Sequence, residues 1–89
     1  MDLETAQDLL DNIEMISEAL GGILNAPLPL SPIQEIVLDR LMCLAQKDVN
    51  EACTHMNFIA STILKNQYVV AITQIKEHME FVLANNLHP

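Results

Sequence analysis

Neither lysine nor arginine occurs in the first 39 residues of this 89-residue chain, which hold Asp2, Glu4, Asp8, Asp11, Glu14, Glu18, Glu35 and Asp39. The four cations that follow, Arg40, Lys47, Lys65 and Lys76, are matched by Asp48, Glu51, Glu77 and Glu80, so the whole net charge of −8 belongs to the first segment. A chain without clustered cations is not built to grip a phosphate backbone, which argues against direct nucleic-acid binding. No apolar run approaches the roughly 20 residues that span a bilayer, and the acidic start lacks the positive region of a secretory signal, so the expected location is cytoplasmic with no membrane insertion. Two cysteines, Cys43 and Cys53, are too few for a disulfide scaffold. Aromatics are nearly absent at 3%. No segment alternates in the manner of a half-buried strand.

What is present is aliphatic. Apolar residues make up 51% of the chain, at or above the usual fraction for a soluble domain, while 89 residues form one small domain with a large surface for its volume. Aliphatic surface is therefore expected to remain uncovered by the core and to be closed by a protein partner or a homo-oligomer. Capping residues and helix breakers recur at intervals suited to an all-α bundle of four helices occupying residues 1–89 as a single domain. The first helix is expected over 3–20, with Leu3, Ala6, Leu9, Leu10, Ile13, Ile16 and Leu20 inward and a left-handed cap at Gly21-Gly22. Its other face carries Glu4, Asp8, Asp11, Glu14 and Glu18. Four like-charge pairs there oppose helix formation by about 1–2 kcal/mol in total, which packing must overcome.

Pro27 and Pro29 predict an extended crossover over 21–31 in which Ile23, Leu24, Leu28 and Leu30 seek burial. Ser31-Pro32-Ile33-Gln34 combines a serine cap, a proline at the first helical position and a glutamine able to reach back, and opens a helix over 32–46. Asp48-Val49-Asn50-Glu51 repeats the capping-box spacing and predicts a third helix over 49–64 with Ala52, Met56, Ile59, Ala60 and Ile63 inward, followed by a break at Lys65-Asn66 and a fourth helix over 67–84 burying Val69, Ile72, Ile75, Met79, Val82 and Leu83. The competing reading, one helix from Val49 to Ala84, is long for a globular domain. Met15, Met42, Met56 and Met79 fall on the expected apolar faces.

Chemistry-bearing constellations are thin. Folding back at Asp48 would set Cys43 opposite Cys53 beside His55, yet a structural zinc site needs four ligands and no third cysteine exists, so inert buried thiols are the expectation. Glu77, His78 and Glu80 resemble part of a di-iron set, but no Glu-x-x-His is present. Ser17, Ser31 and Ser61 lack an evident histidine and acid, and no glycine-rich loop is available for phosphate. No enzyme, metal or cofactor is expected. The contact residues predicted instead are Glu4, Asp8, Asp11 and Glu18 for an electrostatic face, and Tyr68, Ile72 and Lys76 for an apolar one.

Leu30-Ser31-Pro32, Lys47-Asp48-Val49-Asn50-Glu51-Ala52, His55-Met56, Ile59-Ala60-Ser61-Thr62 and Ile75-Lys76 resemble, over about Leu10 to Leu87, a C-terminal helical domain. That domain is shared by the COPII outer-coat scaffold subunit and the steroid receptor RNA activator protein. The family domain has an aspartate-aromatic turn before the third of these helices, and an aromatic with a hydrophobic-lysine pair in the last. Asp48 and Ile75-Lys76 match it, Val49 replaces the first aromatic, and Tyr68 lies near the place of the second. The resemblance implies a small helical bundle and a non-catalytic protein-binding role in vesicle-coat assembly, not RNA binding. Residues 32–64 also look slightly like one tetratricopeptide-type repeat, although Asp39 and Arg40 stand where that motif takes apolar or small residues. The alternative from charge is a small acidic inhibitor, immunity protein or chaperone that docks its first helix on a basic surface.

Overall fold

The computed structural model describes residues 2–85. Among them the chain is all-helical and forms three long α-helices, not four: α1 (Leu3–Leu24), α2 (Pro32–His55) and α3 (Thr62–Ala84), with a 3-10 turn at Met56–Phe58 between the last two. Leu87, the far end of the motif resemblance, lies outside the described residues.

The first correction is at Gly21-Gly22, which continue α1 by a turn instead of capping it; no glycine has a positive φ. Two helical glycines cost about 1 kcal/mol each, but continuing the helix carries Ile23 and Leu24 against the core. The bare Gly21 also lets the His78 ring approach to where a Cβ would stand 3.4 Å from Cε1. Helix α1 starts at Asp2, whose carboxylate accepts from Thr5 N at 2.7 Å, and ends at Asn25, whose N–H reaches back to Gly21 O. The crossover is thus shortened to residues 25–31, with a cis Leu28-Pro29 bond; Leu30 packs on the core, whereas Leu28 is exposed.

The start of α2 follows the sequence closely. Gln34 N donates to Ser31 Oγ at 3.2 Å while Ser31 N donates to Gln34 Oε1 at 2.8 Å, a complete capping box with proline in the first turn. The expected turn at Asp48 is absent. Leu38, Met42, Ala45, Val49 and Ala52 are all buried, a spacing of four and three that passes through Asp48 without interruption, so a break there would have turned half of the face out of the core. Isolated capping chemistry loses to that packing.

Helix α2 instead ends at His55, after roughly 36 Å, a little beyond the roughly 33 Å of α1. Ile59 is extended and buried, and Ser61 caps α3 by accepting from Leu64 N at 3.2 Å. Lys65-Asn66 lie inside α3 and break nothing.

Helix α1 packs along both α2 and α3, which touch one another far less, in a rod of 44 × 18 × 17 Å. Contacts from Ala6 to Tyr68 and from Ser17 to His78 advance together along the two helices, so α1 and α3 run parallel, with α2 reversed beside them. The core joins Leu10, Ile13 and Leu20 to Leu38 and Val49 and to Tyr68, Ile75 and Val82. Several residues assigned inward are exposed: Leu3 on α1, Ala60 just before α3, and Ile63, Val69 and Leu83 on α3. Met15 is exposed among the acids of α1, whereas Met42 is buried and Met56 and Met79 pack against the core. Among the described residues no helix is long and apolar enough to cross a membrane.

Candidate functional site

The predicted apolar contact set does not form one surface. Tyr68 is 0% exposed and its hydroxyl donates to Ala6 O across the α1–α3 contact; Ile72 is also buried, because both continue the inward stripe of Leu64, Ala71 and Ile75. Burial, and secondarily the charge of Glu51, pushes the Tyr68 phenol above its ordinary value, so it stays a neutral donor. Of the three, only Lys76 remains exposed. Cys43 and Cys53 are exposed and not joined in a disulfide, on one continuous helix instead of two facing ones, which removes the expected pairing of buried thiols. Among the described residues no three His, Cys, Asp or Glu side chains are grouped to hold a metal ion.

The serines contain one surprise. Ser17, on α1, meets His78 of α3 with 3.3 Å between Oγ and Nδ1, and Glu14 and Glu18 line the same recess. Sequence reading missed this pair because the partners lie 61 residues apart; the usable signal was a small polar residue amid an apolar stripe facing a helix that contains histidine. Ser17 is only 4% exposed. The contact is that of a buried hydroxyl finding its partner.

The acidic residues are better placed. All five acids of α1 from Glu4 to Glu18 are exposed, and four of them border a furrow that follows the α1–α3 seam. At one end Leu3, Glu4 and Asp8 face Ser61 and Ile63. In the middle a recess of about 490 Å³ is floored by Leu10 and Ala71 and walled by Glu14, Ile63 and Val70. At the other end Glu14 and Glu18 face Gln74 and His78 beside Gly21 and Gly22. Adjacent recesses share Gln7, Ile63 and Gln67, then Glu14 and Gln74, so they are one furrow. No lysine or arginine is among its described lining residues. Asp11 stands off the furrow and accepts from Gln7 Nε2 at 3.1 Å.

On the α3 wall of the furrow Ile63 is 75% and Val70 66% exposed. A second exposed stripe runs along α2 through Ile33, Ile36, Val37 and Leu44. The chain matches no family model, and no curated protein and no solved structure matches it.

Proposed function

We propose that this chain is a non-catalytic protein-binding module. The observation that carries the reading is the exposure of large aliphatic side chains, Ile33 at 70% and Ile63 at 75% among them, around a core that is already closed. Scattered exposed hydrophobes are ordinary, but stripes along α2 and along the α1–α3 furrow are the kind of apolar surface that partners cover.

The narrower setting we propose, an accessory domain of vesicle-coat assembly, is supported only by the residues shared with the coat-scaffold family. Of these, Asp48 falls inside α2 and not at a turn, so the support rests on the remaining segments such as Ile75-Lys76. A second reading, a small acidic inhibitor, immunity protein or chaperone, is favoured by Glu4, Asp8, Glu14 and Glu18 along the furrow, an arrangement suited to a basic partner.

Capture of partners on the tagged chain from lysate of its own organism, at about 0.05 and 0.5 M salt, separates the readings, because salt screens charge far more than apolar contact. Coat and secretory proteins held at high salt support the coat setting. A basic protein held only at low salt supports the second reading. Retention of nothing beyond an untagged control at either salt contradicts a binding module.

A further inference from the structure

The furrow between α1 and α3 has two walls of different chemistry. The α1 wall carries carboxylates at Glu4, Asp8, Glu14 and Glu18; the α3 wall presents Ile63 and Val70 with Asn66, Gln67 and Gln74 beside them and His78 at the far end. Leu3 to Glu14 is roughly 17 Å along the helix and Leu3 to Gly22 roughly 29 Å, the length of an 11- to 19-residue helix at 1.5 Å per residue. A groove between two parallel helices, apolar on one side and anionic on the other, matches an amphipathic helix whose apolar stripe is flanked by cations.

Building on the protein-binding reading, we propose that the α1–α3 furrow is a docking groove for a lysine- or arginine-flanked amphipathic helix of another protein. Such a helix sets its aliphatic stripe on Ile63 and Val70 and its cations against Glu4, Asp8 and Glu14. A second copy of this chain is the wrong occupant. Its α2 carries Glu35, Asp39, Asp48 and Glu51 against Arg40 and Lys47, and its α3 carries Lys65 and Lys76 against Glu77 and Glu80, so neither helix brings a net positive charge to an acidic wall. Anionic lipid and nucleic acid are disfavoured by the same like-charge repulsion.

The test uses the full chain, isotopically labelled, and a synthetic 18-residue helical peptide with a leucine stripe flanked by lysines. The controls are the same peptide with every lysine replaced by glutamate and a proline-interrupted version. Saturable binding is expected, with the largest amide shifts on the furrow walls and an affinity that falls as salt rises. Ile63→Ser with Val70→Ser is expected to weaken binding at least about tenfold, Glu4→Gln with Glu14→Gln at least about threefold, and Ile33→Ser with Ile36→Ser to change it less than about twofold. Circular dichroism confirms that each variant folds, which mutations of exposed side chains permit.

Shifts centred on the α2 stripe, equal binding of the glutamate peptide, or no saturation by about 1 mM would each overturn the groove assignment. The protein-binding reading stands apart from these outcomes. It survives if captured partners are retained equally by the furrow variants and the parent, and it falls only if no partner is captured.

Discussion

Tyr68 shows how much one side chain can determine. Its ring fills the space between α1 and α3, and its hydroxyl must find an acceptor there; Ala6 O is the group within reach. Tyr68→Phe keeps the packing and removes the donor, so it is expected to lower stability by about 1 kcal/mol in urea unfolding without changing helicity. Asp48 is the opposite case, a carboxylate the fold tolerates at a cost. Burial first, then repulsion from Glu51, raises its pKa above the ordinary 3.8, with Lys47 opposing in part. A carboxylate whose folded pKa is raised destabilises the fold above that pKa, and the penalty disappears as pH falls below the unfolded value. Asp48→Asn is therefore expected to raise the urea midpoint at about pH 7 and to leave it unchanged at about pH 3. A gain that persists at acid pH would contradict the electrostatic origin.

At the scale of the helices, the informative positions are those where a local signal and a packing signal disagreed. Gly21-Gly22 carry a stop signal by residue type, and Asp48-Val49-Asn50-Glu51 carries a start signal by capping chemistry, yet both pairs of turns are continuous helix. Gly22→Ala tests this cleanly. An added Cβ there meets nothing within 4 Å, so in a helix the change is expected to stabilise by about 0.5–1 kcal/mol in thermal or urea unfolding. A loss of stability would mean that the glycine occupies a left-handed cap after all.

The all-helical class, the capping box at Ser31 and the inward stripe of α1 apart from Leu3 were legible because each depends on neighbours a few residues apart. The helix count was not, since it turned on whether Val49 and Ala52 continue the face of Leu38, Met42 and Ala45. That is a question about the partner helix, not about the turn. The cap at Ser61 was not legible for the same reason: Ile59 is buried in extended backbone of the connection and Leu64 in the first turn of α3, so the break shows only in how each packs on the core.

At the scale of the molecule, charge and shape are arranged together. The acids that make α1 costly to form stand on its outer side, and four of them border the furrow with α3. Glu4, Asp8 and Glu18 were identifiable from sequence as one helical face, although their aliphatic counterpart was not. Tyr68 and Ile72 were chosen from the right helix but from its inward side, while Ile63 and Val70, placed in a core or passed over, form the exposed wall. Which side of α3 faces outward depends on where α1 lies, and no local pattern encodes that.

Partner capture compared between the parent and two variants, Ile63→Ser with Val70→Ser and Glu4, Asp8 and Asp11 each changed to lysine, joins surface to role in one measurement. Both variants are expected to keep parental helicity and to lose, at least about fivefold by quantitative mass spectrometry, proteins the parent retains at low salt. Retention of the same proteins in the same amounts by folded variants would contradict a functional furrow and leave the acidic face of α1 a determinant of solubility alone.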